Sequence, residues 1–538
     1  MSFRRLSSRL GLAVLAGLLV AAKPAVAPAD EAAANRVRGH VQFLASDELE
    51  GRGTGSRGYD VAAAYVAAQF ASLGLKPAGA GGSWYLQVPF RTSTHARPPV
   101  ISIIADGQSR AATPADISLR PSLTQKQRAF EAGLVFVGHG IIEPKFGLDD
   151  YAGVDVRGKI AVVLRGTPRG LPADAAAHLA QVKDDIALAK GAVGIAELTI
   201  PGGRGGGIGG PSRSVTDWID RAGAVGNSSS RLASMVLSAD VSKQLFKGEQ
   251  RSLEQVAASR GGPIRAFPLR TRLAVNAESQ WKDFSSPQII GMIPGSDPRL
   301  ASEYVFLMGH LDHLGVKDNA APGEDRIYNG ALDNAAGIAT MLEAARHFVE
   351  AGKRPRRSVL FMANTGEERG LLGAGYYIAH PTVPVRQIVA AVDLDMPLML
   401  YDFTDVVAFG ADHSTVARTV AQAARGMGIA VSTDPMPEQT IFVRSDHYQF
   451  VRGGVPAILL FTGYANGGKA KWDAFFARAY HRPNDDLSQP INWRAGARYA
   501  RLNYEISRIL ADSDQRPLWY RGDYFGERFA PGQPRAAR

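Results

Sequence analysis

Five short segments in the second half of the chain set His, Asp and Glu where apolar runs end. In "MGHLDHLG", His310 closes an apolar run and Asp312 follows two residues on. Residues i and i+2 of extended chain project to one side. Asp312 can therefore accept the spare ring N–H of a His310 whose other nitrogen binds metal. His313 should point away from His310, which suggests a role in local structure. In "YNGALDNAAG", Asp333 stands at the mouth of a helix whose core face is Ile338, Met341, Leu342 and Ala345. Taken alone, this segment reads more simply as a helix cap at Asp333 or Asn334. In "LFMANTGEERGLLG" a buried-type strand runs into Glu367 and Glu368, which point to opposite sides. One can bind metal while the other faces a cavity as a base. The alternative, two solvated glutamates, is weakened by the glycines at 366, 370 and 373, which suggest constrained backbone. Asp393 and Asp395 end a further apolar strand, where carboxylates are costly unless paired or metal-bound. His481 lies in the loop "AYHRPNDDLSQP", with Asp485 and Asp486 as candidate acceptors for its ring.

Together His310, Asp333, Glu368, Asp395 and His481 supply two imidazoles and three carboxylates. If Asp333 bridges, each of two metals receives three protein ligands and keeps room for water. Such open coordination by nitrogen and oxygen suits zinc, and cobalt and manganese accept the same donors. Two metals about 3.5–4 Å apart can stabilise both ends of a hydrolytic displacement. The chain has no cysteine, which excludes thiolate metal sites, iron–sulfur clusters, disulfides and cysteine nucleophiles.

The elements that must position these residues alternate. Strands are expected at Ile289–Ile293, Tyr304–Met308, Ser358–Ala363, Ile388–Leu394, Val406–Phe409 and Ala457–Phe461. Helices are expected at Gly337–Glu350, Leu371–His380, Ser414–Met427 and Trp493–Leu510. This alternation predicts an α/β domain with a mostly parallel sheet covered on both faces. Function in such sheets gathers at the loops after the carboxyl ends of strands. Upstream, Glu31 to Leu75 reads helical around the polar turn "SDELEGRGTGSRG". A separate unit begins near Ala132 and closes near Pro268. It contains the apolar strand Ile160–Leu164 and a glycine tract, Pro201–Ser212, without the Lys-Ser/Thr ending of a phosphate loop. We read the tract as a surface loop.

The chain has 538 residues, 45% hydrophobic and 21% charged, which excludes a wholly disordered or fibrous protein. Arg4, Arg5 and Arg9 precede the apolar run Leu10–Ala22, and small residues follow at 25, 27 and 29. This is the layout of a secretory signal peptide, too short for a comfortable membrane span. Cleavage after Ala27 or Ala29 removes four basic residues and no acidic ones, lowering the formal charge from +10 to +6. Export to periplasm or medium follows, with no membrane span after cleavage. The run "GKRPRRS" reads as a solvated loop rather than a nucleic-acid surface. The Arg-rich tail after Pro517 reads as extended and exposed.

The segments "SDELEGRGTGSRGYD", "GHLDHLG", "RIYNGALDNAAG", "TGEERGLLG", "DLDM", "SDHYQF" and "YHRPNDD" resemble, in order, those of the co-catalytic zinc peptidases. That family includes bacterial leucyl aminopeptidase, aminopeptidase Y and glutamate carboxypeptidase. The middle unit resembles the protease-associated domain often inserted in that family. The resemblance implies a mixed, mostly parallel sheet sandwiched by helices, with a β-rich insertion. It divides the chain into a leader at 1–29, an N-terminal peptidase part at 30–130, the inserted domain at 131–268, the catalytic domain at 280–515 and a tail at 516–538. It implies two zinc ions, one held by His310 and Asp395, the other by Glu368 and His481, with Asp333 bridging. It also implies a cis Asp333–Asn334 peptide, Glu367 as general base, Asp312 orienting His310 and Asp485 supporting His481. Gly366 and Arg482 depart from the family's usual residues.

The expected activity is removal of N-terminal residues from peptides with a free N-terminus. The alternatives are a carboxypeptidase, a glutaminyl cyclase and a receptor-like module without catalysis. A carboxypeptidase needs a basic pocket, for which Arg444 and Arg482 are candidates. Tyr448 and Phe450 serve equally as cleft lining or as packing, and Asp446 and His447 are further cleft candidates.

Overall fold

The computed structural model describes residues 28–200, 214–259 and 264–538. The leader and the glycine tract lie outside these, apart from the leader's last two residues, which begin the helix Pro28–Leu44. Four parallel strands form the centre of the main sheet, in the order Ala457–Thr462, Ile388–Asp393, Tyr304–His310 and Ser358–Asn364. Nearly every residue in them is buried. Successive side chains point to opposite faces, so both faces are covered. Antiparallel neighbours flank this centre. They are Asp405–Phe409 beside Ala457–Thr462, and the end of Phe267–Ile293 beside Ser358–Asn364. The helices Ala336–Glu350, Trp493–Asp512 and Pro28–Leu44 pack together against the sheet. The first turns Ile338, Met341, Leu342 and Ala345 inward, as its spacing predicts. The fold is the expected mixed, mostly parallel sheet flanked by helices.

One strand is far longer than its apolar core suggests. Phe267–Ile293 runs 27 residues without a break. Its first half pairs with Val100–Ala105 and Gln127–Phe136, its middle with Tyr85–His95, and its end with Ser358–Asn364. It thereby joins two sheets. The second sheet also contains Gln108–Ala112, Ile117–Leu119, Ile160–Leu164, Gly194–Leu198 and Ala233–Leu237. It has its own core, in which Phe136 meets Phe246 edge-on at 5.3 Å. The strands of this sheet come from residues 100–278 of the chain, a span that contains the unit expected at 131–268.

Two arginine-rich segments differ from their expected exposed state. In "GKRPRRS", Arg357 is fully buried and donates to Glu303 at 2.7 Å and to the carbonyls of Leu510 and Ser513. The end of the helix Trp493–Asp512 leaves carbonyls that a guanidinium can satisfy. The tail after Pro517 is likewise packed. Trp519 and Phe525 are each 1% exposed, and a short helix spans Tyr524–Phe529. Its aromatic residues bury enough apolar surface to outweigh its charge.

This tail also joins the two units. Tyr524 and Arg528 both donate to Glu143 Oε2, at 2.9 and 2.8 Å, and Phe146 stacks on Tyr524. His413 sits between Asp523, 2.6 Å from Nδ1, and Asp174 of the helix Ala173–Gln181, 3.5 Å from Nε2. Burial opposes an imidazolium there, but Asp174 and Asp523, with Asp412 nearby, raise its pKa from 6.5 to about 10. A raised folded pKa means stabilisation that is complete below pH 6.5 and lost as pH rises through about 10. His413→Gln should lower the unfolding free energy by about 1.5–3 kcal/mol at pH 6. Urea unfolding of both proteins should show that difference shrinking as the pH is raised through the folded pKa. A pH-independent difference would mean that His413 acts by packing alone.

Candidate metal centre

Three neighbouring parallel strands end at one edge of the sheet. His310 lies level with Asn364, and Met308 with Asp393. The turns after these strands carry Glu367, Glu368 and Asp395 to the same place. Asp333 arrives from the turn Ala331–Ala335 ahead of the helix Ala336–Glu350, and the Asp333–Asn334 peptide is cis. His481 arrives from the loop after Gly468–Arg478, with φ 55°. Met396, next to Asp395, also has positive φ, at 47°. Left-handed backbone costs a residue with a Cβ about 1–2 kcal/mol, so surrounding contacts must hold both turns.

The side chains form two half-sites that share one residue. His310 Nε2 lies 3.1 Å from Asp395 Oδ1 and 3.2 Å from Asp333 Oδ1. His481 Nε2 lies 3.3 Å from Asp333 Oδ2 and 3.3 Å from Glu368 Oε2. The two oxygens of Asp333 thus divide between the two imidazoles. Potential ligand atoms of His310, Asp333 and Asp395 all lie within 4.8 Å of one another, as do those of His313, Asp333 and Glu368.

The electrostatics of this cluster are those of carboxylates crowded out of water. Burial pushes Glu367 well above the ordinary range, and the charges of Glu368, Asp395 and Asp446 add to it. Burial, followed by the charge of Asp333, pushes Glu368 up to about 8. For His310 burial works the other way, yet Asp395 and Glu367 hold it well above 6.5. Buried carboxylates at this density need cations, and the donors are the nitrogens and oxygens that divalent zinc accepts. The residues present fit such an ion.

The supports around the cluster differ in part from those expected. His310 Nδ1 donates to the backbone carbonyl of Asp312 at 2.9 Å, rather than to its carboxylate. That carboxylate accepts from Thr54 Oγ1 at 2.8 Å and from the Glu367 N–H at 3.3 Å. Asp312 therefore ties the His310 strand to the glutamate turn. Asp485 does not reach toward His481. Its two oxygens accept the backbone N–H groups of Leu332 and Asp333, each at 2.9 Å. It holds the turn that presents Asp333, although burial pushes its carboxyl up to about 6. Asn334 donates to the Leu394 carbonyl at 2.9 Å and accepts from Met396 N–H at 3.2 Å. A Cβ at Gly337 would strike both the Leu394 carbonyl and the Asn334 side chain, so this approach requires glycine. His313 faces the cluster after all, with Nδ1 2.6 Å from Glu368 Oε1.

Arg52 was not singled out from the sequence. It is 1% exposed and donates to the carbonyls of Leu311, Asn329, Gly330 and Leu44. The Leu311 carbonyl follows His310, and those of Asn329 and Gly330 precede the Asp333 turn. Burial lowers its pKa to about 10, against the pull of Asp485, Asp312, Asp333 and Glu368. Its one sequence signal is an arginine between two glycines in "EGRGTG". Ser445 Oγ lies 2.7 Å from Asp393 and 2.8 Å from Asp395 and serves both carboxylates. Of the "SDHYQF" residues, Tyr448 lines the cavity above the cluster, whereas Phe450 packs on Phe306 and Tyr377. Asp446 and His447 are fully buried, and Asp446 accepts from Asn364 at 2.6 Å.

The cavity holds about 430 Å³. His310, Asp333, Glu367, Glu368, Asp395 and His481 all line it. Ile441, Val443 and Phe476 add apolar wall, and the inserted unit contributes His178, Gln181 and Val182. Asp485→Asn keeps size but removes one of the two acceptors under the Asp333 turn. It should weaken zinc affinity about 10–100-fold. Competition with a chromophoric chelator measures this, and circular dichroism checks that the fold survives. Unchanged affinity would remove Asp485 from its positioning role.

Residues 288–507 match the family described as Peptidase family M28. Leupeptin-inactivating enzyme 1 of Streptomyces exfoliatus is 28% identical over 207 residues, covering 36% of this chain and 42% of that protein. Vacuolar membrane protease of Candida glabrata is 35% identical over 100 residues, 19% of this chain and 9% of that protein. The matches thus span less than half the length of these curated relatives. Among solved structures, an aminopeptidase from Aneurinibacillus sp. strain AM-1 shares the fold at a TM-score of 0.50. It is 21% identical, and the match covers 90% of this chain and 95% of that one. Asp333 and the four side chains that meet around it all fall within the segment that matches the peptidase family M28.

Proposed function

We propose that the chain is an exported, zinc-dependent aminopeptidase that binds two metal ions. The observation that carries this reading is the division of Asp333 between two half-sites. His310, Asp395 and Asp333 Oδ1 would hold one ion, and His481, Glu368 and Asp333 Oδ2 the other. Bound there, zinc supplies Lewis acidity, which polarises a substrate carbonyl and lets water attack at neutral pH.

The protein's own part in the reaction is to orient and to move a proton. Glu367 lines the same cavity, with a carboxylate oxygen within 4.8 Å of ligand atoms of His310 and Glu368 but outside ion-pair distance of either histidine, and we assign it to the attacking water. Its elevated proton affinity suits a base that takes this proton and then hands it to the leaving amine. His313 holds Glu368 from behind, and Asp485 and Arg52 hold the Asp333 turn. Recognition of a free α-amino group is carried over from the resemblance to the aminopeptidases, since two bound zinc ions would offset the charge of Asp333, Glu368 and Asp395. The printed names of the Candida glabrata protease and the Aneurinibacillus aminopeptidase agree with peptide hydrolysis. Among the described residues no helix is long and apolar enough to cross a membrane.

Glu367→Gln should bind zinc as the unaltered protein does but lose about 10²–10⁴-fold in kcat. Metal analysis and peptide hydrolysis on one preparation check both halves, and retained turnover would remove Glu367 from its role. Direction is tested with free and N-acetylated versions of each peptide, scored by mass spectrometry. Stepwise loss from free N-termini alone, abolished by chelation, is the expected result. Loss from the C-terminus of both versions would make the enzyme a carboxypeptidase. Zinc binding without hydrolysis would favour the cyclase or receptor reading.

A further inference from the structure

The cavity wall carries a cation that the mechanism does not use. Arg444 lines the cavity, and among the described residues no carboxylate lies within ion-pair distance of it. Its protein contacts are long. One nitrogen lies 3.4 Å from the Gln439 carbonyl, and another lies 3.5 Å from the Tyr480 hydroxyl. Its chain neighbours Val443 and Ser445 are each 2% exposed, so the side chain projects from a fixed base. Ser445 is also the residue whose hydroxyl contacts Asp395. Tyr480 stacks on His481 with ring centroids 3.9 Å apart. The guanidinium therefore sits one tyrosine away from a residue of the metal cluster, beside a phenol whose O–H can also donate.

A guanidinium without a carboxylate partner on a partly apolar wall, with a second donor beside it, suits an anion. An extended peptide advances about 3.3–3.6 Å per residue. A tyrosine side chain is about two such steps long, so Arg444, next to the Tyr480 hydroxyl, lies within reach of a short peptide bound at His481. We propose that Arg444 is a specificity-determining residue that receives a substrate carboxylate. The carboxylate is either the C-terminus of a short peptide or an acidic side chain. This rests on the peptidase reading and narrows its substrate class.

The test uses the full zinc-loaded chain and ligands whose scissile amide is reduced to a methylene amine. One pair is Leu-Gly as its free acid and as its C-terminal amide. The other is Leu-Glu-amide and Leu-Gln-amide. Calorimetry should show one acid bound about 10–100-fold more tightly than its neutral twin, and the pair that discriminates identifies the source of the carboxylate. Arg444→Gln should abolish that ratio while changing affinity for the neutral ligand less than about twofold. Arg444→Lys, which keeps the charge, should retain part of it. Equal binding of acid and neutral ligands by the unaltered protein would overturn the proposal. So would an equal effect of Arg452→Gln, the other arginine of the wall, since discrimination would then belong to the general field of the cavity. Hydrolysis of the parent peptides separates the two readings. Discrimination without hydrolysis would sink the peptidase and keep Arg444. Hydrolysis without discrimination would do the reverse.

Discussion

Asp333, Glu367, Glu368 and Asp395 lie together at a sheet edge where water is scarce, and each charge raises the cost of its neighbours. Isolated carboxylates in such a place would protonate or turn outward. They stay because the backbone beneath them is held at many points. Asp485 anchors two amides of one turn, and Asn334 joins that turn to the strand end before Asp395. Arg52 ties four carbonyls with one guanidinium. The geometry of the two half-sites is thus a property of main chain fixed by buried polar groups. Three of the side chains come from parallel strand ends, which the sheet aligns.

The second unit is coupled to this edge by more than a linker. The strand Phe267–Ile293 belongs to both sheets, so a shift of one sheet must bend a continuous hydrogen-bonded ladder. The C-terminal segment adds a second tie through Glu143, His413 and Asp174. His178 of the inserted unit meets Tyr448 at the cavity wall, Nδ1 lying 2.5 Å from the hydroxyl. The insertion is therefore a wall of the cavity, and its placement sets the space beside the carboxylates.

For two arginine-rich segments the sequence misled because of charge. Arginines in "GKRPRRS" and in the tail look like solvated chain, because composition registers the guanidinium and not its partner. Arg357 is buried because a helix end supplies carbonyls, and the tail is packed because Trp519 and Phe525 find apolar surface. His313 was set aside because alternation along a strand turns it away from His310. The strand ends at His310, and beyond it the alternation no longer holds. Asp485 sits next to the expected ligand loop, but its reach to Leu332 and Asp333 crosses some 150 positions of chain, which no local pattern encodes.

By itself the sequence determined the alternation of elements, the inward faces of the helices and the residue types able to bind metal. These follow from short-range periodicity and from the cost of placing carboxylates after apolar strands. Only the tertiary structure decided which oxygen of Asp333 faces which imidazole, that Asp312 serves His310 through its carbonyl, and that Arg52 ties the chain beside His310 to the Asp333 turn. Those are distances between parts of the chain far apart in sequence, and packing alone brings them together.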